Sequence, residues 1–292
     1  MATPDTAFVQ QYKNNITMLA QQMDTRLRST VMVDTDFKSE KKFYEQYASD
    51  ELVELSNRYA DTPLQLPDHR RRVVTPRFFV GATLEDPIDA KQMLVDPKST
   101  YMQAKQAAAG RKIDDLIVTA LFADASTGKT GTGTAVFTTA NIVAVNEGGG
   151  GSDTGLNKAK VLKAKRLLDA AEVEDEDRFF GITARQLEDL LNITEVASSD
   201  FNTVKALVEG TISHWVGFDW KRTQRFVTDS NSDRRCYAWH KKGMQLAIAQ
   251  EPEGRIDERV DKNMAWQVYL RLCFGVTRLE EARVVQILCD ES

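Results

Sequence analysis

The residues of this chain that come closest to a chemical motif are Gly128-Lys129-Thr130, within the stretch ADASTGKTGTGT. Gly-Lys-Thr ends the phosphate-binding loop of many nucleotide-binding proteins, where backbone amides at a helix N-terminus hold the phosphates. The full motif requires a glycine at the position occupied here by Ala123. It also requires a strand before the loop and a helix after it, whereas here a helical pattern precedes the loop and the strand-like TAVFTTANIVAV follows it. This order favours a surface loop, and a nucleotide-binding enzyme that uses Gly128-Lys129-Thr130 remains the alternative hypothesis.

Other residue types that support catalysis or metal binding are scattered along the chain. The histidines are His69, His214 and His240, and none lies within four residues of another. The cysteines, Cys236, Cys273 and Cys289, are odd in number and widely spaced, so we expect buried, reduced thiols rather than disulfides or a zinc site. The acidic run EVEDED lacks the glycine and terminal glutamate of a calcium loop. We therefore predict no catalytic residues, no cofactor, no metal and no enzymatic activity.

The bulk composition argues against two classes of protein. The chain has 292 residues, a formal net charge of -5 and a pI near 5.4, whereas tight binding to nucleic acid requires dense Lys and Arg. No apolar run approaches the roughly 20 residues of a membrane span. The start, MATPDTAFVQQYKNN, lacks the pattern of a signal peptide. We expect a globular protein that binds DNA only weakly and does not enter membranes.

A long helix is the clearest element in the sequence. The segment from Ser99 to Ala125 carries apolar residues at helical spacing, and Ser99 is a candidate N-cap. Such a helix is roughly 40 Å long. The preceding segment mixes aromatic and charged residues with strand formers interrupted by Pro67 and Pro76, a pattern that predicts an extended, edge-type hairpin projecting from the body.

This predicted hairpin carries the one basic cluster of the chain, His69-Arg70-Arg71-Arg72. One interpretation pairs these guanidinium groups with carboxylates of a neighbouring copy, and the other is a solvated loop tip. Aromatic residues on a thin extension have no core of their own to enter, which favours the first interpretation. The predicted inter-subunit contacts are Arg70, Arg71, Arg72, Phe43, Tyr44, Tyr47 and Tyr59.

The second half predicts a mixed α and β unit that begins after the glycine run at 148–151. A Lys-rich helix spans 156–173, RFFGIT is a short buried strand, and Thr183-Ala184-Arg185-Gln186 matches a capping box that starts another helix. We expect a further helix at 203–210. The alternation from Val268 to Val276 and the run ARVVQILC predict two long antiparallel strands joined by a polar turn at 278–281.

This order of elements resembles the major capsid proteins of tailed bacteriophages, which have the Hong Kong 97-like fold. The segments similar to that family cover roughly residues 40–292; they are RRRVVTPRFFVGATLEDPIDAKQMLVDPKSTYMQAKQAAAGRKIDDLIVTALFADASTG, RFFGITARQLEDLLN, DFNTVKALVEGTISHWVGFDW and NMAWQVYLRLCFGVTRLEEARVVQILC. The resemblance implies an α+β fold with an N-terminal arm (1–37), an extended β-hairpin loop (38–85), a peripheral domain (86–147) with a spine helix at about 99–125, an axial domain (152–255) and closing strands (256–292) returning to the peripheral domain.

The resemblance also implies a function. The expected role is that of a shell subunit that forms pentamers and hexamers of an icosahedral phage head around double-stranded DNA, assembled in the host cytoplasm. The implied partners are other copies of the chain, a scaffolding protein, a portal at one vertex and a decoration protein. Some relatives cross-link through a Lys and an Asn, but neither Lys91 nor Lys98 aligns with that lysine, so we predict no cross-link. A cellular nanocompartment shell of the same fold is the second alternative.

Overall fold

The structure is a computed structural model that describes residues 21–48, 50–54, 57, 61, 64, 66, 68–86, 98–192 and 213–291. The predictions for Tyr59, for Lys91, for most of the N-terminal arm and for the helix at 203–210 therefore lie outside the described residues.

The described residues contain three α-helices and fourteen β-strands, which confirms the predicted α+β class. The helices are α1 (Lys98–Phe122), α2 (Lys158–Ala170) and α3 (Ala184–Leu191). The strands are β1 (Met32–Asp34), β2 (Lys42–Tyr47), β3 (His69–Val74), β4 (Arg77–Glu85), β5 (Ala125–Thr127), β6 (Gly133–Ala135), β7 (Ile142–Val143), β8 (Arg178–Ile182), β9 (His214–Trp215), β10 (Phe218–Arg222), β11 (Arg234–His240), β12 (Met244–Arg259), β13 (Ala265–Arg278) and β14 (Val284–Cys289).

Several local predictions are confirmed. The long helix α1 begins one residue before the predicted start and ends at Phe122, three residues early, because Ala125 already belongs to β5. Thr183 and Gln186 form the capping box at the start of α3. The strand β8 is buried along its whole length, and the three cysteines are free and buried.

The chain divides into two compact units. Unit 1 comprises Met1–Asp24, Phe78–Arg111 and Glu251–Leu272, and unit 2 comprises Thr25–Arg77, Lys112–Gln250 and Cys273–Ser292. The glycine run at 148–151 forms turns inside unit 2, so it is not the boundary between these units.

Unit 1 contains α1 up to Arg111 and β4 from Phe78 onward. It also contains β12 from Glu251 onward and β13 up to Leu272. In the sheet, β13 lies between β12 and β4. One face of this sheet packs on α1: a Cβ atom on Gly254 would lie 2.5 Å from the sulfur of Met102, and one on Gly81 would lie 3.8 Å from Nζ of Lys105. Glycine at 254 therefore allows the helix to approach the strand closely.

Unit 2 is built around a six-stranded sheet in the order β7-β14-β11-β8-β10-β9. Strand β8 pairs parallel with β10 and antiparallel with β11, and β11 pairs antiparallel with β14. Helices α2 and α3 cover one face and share an apolar core with the sheet that includes Leu168, Leu190, Phe180 and Phe218. Aromatic packing inside this core is close, since the Phe180 and Trp220 rings stack with centroids 4.3 Å apart.

A lysine lies inside this core. Lys160 of α2 is fully buried, and its ammonium group donates hydrogen bonds to the carbonyls of Thr154 (2.6 Å), Gly155 (2.9 Å) and Leu288 (2.9 Å). Burial lowers the pKa of Lys160. Three carbonyl acceptors compensate for the loss of water, so the side chain connects the start of α2 to the last strand.

Replacing Lys160 by methionine should destabilise unit 2. The substitution keeps the length of the side chain but leaves three carbonyls without their donor, which costs about 3 kcal/mol. Urea unfolding followed by circular dichroism measures this loss, with Arg166→Met on the exposed side of α2 as the control. Equal free energies of unfolding for the two variants would contradict the stabilising role of Lys160.

One prediction about strand pairing is wrong, and another holds for part of its range. Strands β13 and β14 do not form a hairpin: β13 neighbours β12 and β4, whereas β14 pairs with β11 and β7 in the other sheet. Within the predicted hairpin region, 38–85, β2 and β3 do form an antiparallel hairpin, whereas β4 lies beside β13. In both cases residues close in sequence pair with distant strands, which local patterns do not reveal.

Candidate functional site

The residues predicted to act in inter-subunit contacts lie on the hairpin of β2 and β3 in unit 2, which we call the hairpin. The register places Tyr44 opposite Arg72, Glu45 opposite Arg71 and Tyr47 opposite His69. The hairpin is one edge of a four-stranded sheet in the order β2-β3-β5-β6. Burial increases along β3 from the exposed His69 to the buried Val74, so the root of the hairpin is the end near Val74.

Side chains alternate between the two faces of β2. Phe43, Glu45 and Tyr47 are exposed, whereas Tyr44 and Gln46 are half-buried. On the exposed face, Nη2 of Arg71 lies 2.6 Å from Oε1 of Glu45. On the other face, the amide of Gln46 donates to the carbonyl of Leu279 at 2.8 Å. One face of the hairpin is therefore attached to its own chain, and the other is open.

Tyr44 belongs to the attached face. Its hydroxyl donates to Asp34 at 2.8 Å, and the ammonium of Lys42 lies 2.5 Å from the same carboxylate. Burial and the nearby Asp34 raise the pKa of Tyr44, and although burial opposes it, the two hydrogen bonds hold the pKa of Asp34 below its ordinary value. Tyr44 thus has an intrachain role that the sequence did not predict.

Arg72 is buried at the root of the hairpin. Its guanidinium donates to both carboxylate oxygens of Glu281, at 2.9 and 2.8 Å, and to the carbonyl of Leu279 at 2.9 Å. Of the three arginines predicted to reach a neighbouring copy, this one is bound within its own chain. It is not a solvated tip residue, and contact of Arg72 with a neighbouring copy stays a prediction.

A second arginine completes this cluster. Arg278 is fully buried, and its Nε lies 3.6 Å from Oε1 of Glu281. It also donates to the carbonyls of Leu121 (3.2 Å) and Ala123 (2.8 Å) at the C-terminal end of α1. A cation at a helix C-terminus satisfies carbonyls that have no partner inside the helix. We call Arg72, Arg278 and Glu281 the anchor cluster, because it joins the hairpin root to the end of the long helix.

The outer part of the hairpin differs from its root. Leu52, Leu64 and Leu66 expose 103%, 91% and 96% of their reference area, and Val53 is exposed as well. We call these four residues the apolar loop. Large apolar side chains that a single chain leaves in water mark a surface that another molecule covers.

Arg70 and Arg71 are the exposed members of the basic cluster. Arg70 lies 3.8 Å from the exposed Asp68, and Arg71 pairs with the exposed Glu45. Exposed ion pairs of this kind contribute little to folding. For these two residues, and for Phe43 and Tyr47, contact with a neighbouring copy stays a prediction.

The Gly-Lys-Thr stretch occupies the turn between β5 and β6. These strands pair antiparallel, Lys129 and Thr130 are exposed, and Gly128 has a φ of 90° that suits a tight turn. The helix α1 precedes β5, so the turn between β5 and β6 does not lie at a helix N-terminus. The geometry that a phosphate requires is missing from this part of the structure.

Metal sites, cavities and membrane-spanning helices are the other features of the described part of the chain that bear on function. No group of three or more His, Cys, Asp or Glu side chains there is placed to hold a metal ion. Within unit 2, a cavity of about 290 Å³ lies beside Arg278 and is lined partly by Arg77, Asp124 and Ser126. Among the described helices, none has the length and apolar character that crossing a membrane requires.

A second charge cluster lies just beyond the anchor cluster. Glu174 accepts hydrogen bonds from Lys242 (2.9 Å) and from Arg283, which also bonds to Glu280. Hydrogen bonds from Lys242, its own backbone and Arg283 lower the pKa of Glu174 from 4.5 to about 2. Burial lowers the pKa of the adjacent His240, whose Nδ1 accepts a hydrogen bond from the backbone N–H of Lys242 at 3.1 Å.

Acid should weaken this cluster. A carboxylate with a depressed pKa stabilises the folded state above its unfolded pKa, and this contribution is lost as the pH falls from 4.5 towards about 2. Glu174→Gln should cost about 1 kcal/mol at pH 7, since the carboxylate is exposed and screened, and almost nothing near pH 2. Urea unfolding at several pH values measures this, with the exposed Glu176→Gln as control; a cost independent of pH would contradict it.

A family model described as phage capsid protein matches residues 5–291, nearly the whole chain. The chain belongs to the phage capsid protein family. No curated protein matches it.

Solved capsid structures share the fold of this phage capsid protein. The capsid of the cyanophage P-SCSP1u has a TM-score of 0.78 and 12% identity, over 99% of this chain and 94% of that one. The acid-stable capsid of Helicobacter pylori bacteriophage KHP30 has a TM-score of 0.76 and 10% identity, over 99% and 97%. The capsid of cyanophage Pam1 has a TM-score of 0.72 and 15% identity, over 97% and 96%. The Hong Kong 97-like fold predicted from the sequence is confirmed.

In this phage capsid protein, one part of the hairpin is exposed and another part is fixed by contacts within the same chain. On the hairpin, the exposed residues are the apolar loop, one face of β2 and the outer arginines of β3. The residues that hold the hairpin in place, Arg278 and Glu281, were not predicted as functional, because the sequence around them, RLEEAR, indicates only a polar turn. The sequence carries no signal for an ion pair between Arg72 and a residue more than 200 positions away.

Proposed function

We propose that this capsid protein is the subunit of an icosahedral phage head, assembling into pentamers and hexamers that enclose double-stranded DNA. The observation that carries the proposal is the match to phage capsid subunits over nearly the full length of both chains. The apolar loop supports it, since four apolar side chains in water require a covering partner and self-association supplies one at every contact.

In this role the chain acts as a structural protein without enzymatic activity. The further partners are a separate scaffolding protein, a portal at one vertex and a decoration protein, and assembly takes place in the host cytoplasm. The acidic net charge of -5 fits weak, non-specific contact with packaged DNA, because a strongly basic inner surface would hold the DNA tightly.

The test is electron microscopy of the chain expressed alone and together with its neighbouring genes. Closed shells of uniform size, containing DNA when the neighbouring genes are present, are the expected result. A stable monomer or dimer under both conditions would overturn the proposal. Shells that enclose an enzyme and never DNA would replace it by the nanocompartment alternative.

The outer arginines provide a prediction at the level of residues. Changing Arg70 and Arg71 together to alanine should slow shell formation several-fold and leave the unfolding transition unchanged, since neither side chain is buried. Light scattering during assembly at two salt concentrations measures the effect. The control is Arg166→Ala with Arg185→Ala, which removes the same charge from exposed positions on α2 and α3. Equal rates for both variants would contradict the prediction.

A further inference from the structure

The carboxylate of Asp233 has no partner in the described part of the chain. The residue ends the segment DSNSD (229–233), which we call the acidic loop and which leads into β11. Only 7% of Asp233 is exposed, and no described residue donates a hydrogen bond to its carboxylate or forms an ion pair with it. A buried carboxylate without a donor or a counter-charge is costly, so an added positive charge would stabilise it.

The charges around Asp233 have the same sign. Burial and the carboxylates of Asp229, Asp153 and Asp290 raise the pKa of Asp233. All four acids belong to unit 2, where Asp153 precedes α2 and Asp290 directly follows β14. Three separate segments of the chain therefore bring negative charge to one place, which favours the binding of a cation there.

The cations beside this region are bound to other groups. Arg234 follows Asp233 in sequence, but its guanidinium pairs with Glu291 at 2.6 Å and donates to the carbonyl of Phe226 at 2.6 Å. Lys160 lowers the pKa of Asp233 less than the nearby acids raise it, and its ammonium donates to three backbone carbonyls. Neither side chain compensates the charge of Asp233 directly.

The acidic loop has the spacing of a calcium-binding loop. Such loops place Asp or Asn at their first, third and fifth positions, which are occupied here by Asp229, Asn231 and Asp233. Oδ1 of Asp229 accepts hydrogen bonds from the backbone N–H groups of Asn231 (2.8 Å) and Asp233 (3.0 Å). Among the described residues, none donates to its second oxygen, Oδ2. Oxygen ligands from three side chains thus lie within five residues.

The acidic loop departs from the EF-hand pattern after its fifth residue. Arg234 occupies the position of the invariant glycine, and His240 occupies that of the terminal glutamate. For this reason the sequence predicted no metal. The loop contains only two acids, and a site built from these and an amide oxygen does not require a group of three acidic side chains, which the described residues do not place for a metal.

We propose that Asp229, Asn231 and Asp233 bind a calcium ion, with backbone carbonyls and water as the remaining ligands. Calcium accepts carboxylate, amide and carbonyl oxygens in irregular geometry, whereas magnesium requires a near-ideal octahedron. The bound ion reduces the repulsion between the acidic loop, Asp153 and Asp290, and so stabilises unit 2. This inference goes beyond the proposed function, because it concerns the single chain.

The test is titration of the purified full chain with calcium chloride, followed by isothermal calorimetry and by the thermal unfolding midpoint. The unsubstituted chain should bind the ion and unfold at a higher temperature in its presence. Asp229→Asn and Asp233→Asn should lose both effects. At position 229 the new amide oxygen still accepts the two backbone hydrogen bonds, so the loop keeps its structure. Glu176→Gln removes an exposed acid outside the loop and should bind calcium normally.

Stability without calcium separates a metal ligand from a residue with a purely structural role. Asp233→Asn removes a buried charge that has no compensation, so in calcium-free buffer this variant should unfold at a higher temperature than the unsubstituted chain. Calcium should remove or reverse that difference, because it stabilises only the unsubstituted chain. A variant that is less stable by the same amount in both buffers would contradict the inference.

The other outcomes are equally decisive. Absence of calcium binding by the unsubstituted chain, or equal binding by Asp233→Asn, would overturn the inference. Equal affinity for magnesium chloride would overturn the assignment to calcium. If mild acid raises the unfolding midpoint and calcium does not, a proton compensates Asp233 and the inference is again wrong. None of these measurements requires shells, so a failure here leaves the proposed function intact.

Discussion

Replacing Glu281 by leucine should lower the free energy of unfolding by about 3–5 kcal/mol, the usual cost of leaving a buried charge without its partner. Arg72 loses the acceptor of two hydrogen bonds, and Arg278 loses the carboxylate beside its Nε. Two buried guanidinium groups then face each other without a negative charge between them. Arg278 keeps its carbonyl acceptors at the end of α1, so the loss falls mainly on the hairpin root.

Chemical unfolding followed by circular dichroism measures this effect. Glu45→Leu is the matched control, because it removes an exposed carboxylate that also pairs with an arginine of β3, and it should cost less than about 1 kcal/mol. In a double-mutant cycle, Arg72→Leu combined with Glu281→Leu should cost less than the sum of the two single changes. Additive losses, or a Glu281→Leu loss as small as the control, would show that the cluster does not hold the hairpin.

Changing Leu52, Leu64 and Leu66 together to serine should abolish shell formation without affecting the folded subunit. These side chains are exposed in the single chain, so removing them costs the fold nothing. Burying a leucine contributes about 1.5–3 kcal/mol, and in a shell this contribution recurs at every contact between copies. The effect on assembly is therefore multiplied, whereas the effect on the subunit is close to zero.

Sedimentation and electron microscopy measure assembly, and the thermal unfolding midpoint measures the fold. The matched control is Leu162→Ser, which removes an exposed leucine from α2. It should assemble as the unsubstituted chain does. Normal shells from the triple variant would show that the apolar loop is not covered in the assembly.

The sequence predicts the elements of this capsid protein better than their partners. The period of the apolar residues in α1, the capping box at Thr183 and the apolar run of β8 are local signals, and each gives the right element. Pairing is a tertiary property. The alternation in β13 shows which residues share a face, but it does not show that β13 neighbours β12 while β14 pairs with β11 in another sheet.

The candidate site, too, can be predicted from the sequence only where its features are local. Alternation along β2 is enough to place Phe43 and Tyr47 on one face and Tyr44 on the other, so the sequence could have separated the open face from the attached one. It could not have separated Arg72 from Arg70 and Arg71, because the distinction depends on Glu281, which folding brings to the hairpin root from the other end of the chain.

A cryo-electron microscopy reconstruction of the assembled shell tests the central claim most directly. The claim is that the anchor cluster of each copy fixes the root of that copy's own hairpin, and that another copy covers the apolar loop. The expected map shows Arg72 bound to Glu281 of the same chain and the leucines of the apolar loop buried against a second copy. A map in which those leucines remain in solvent, or in which Arg72 reaches a neighbouring subunit, would contradict it.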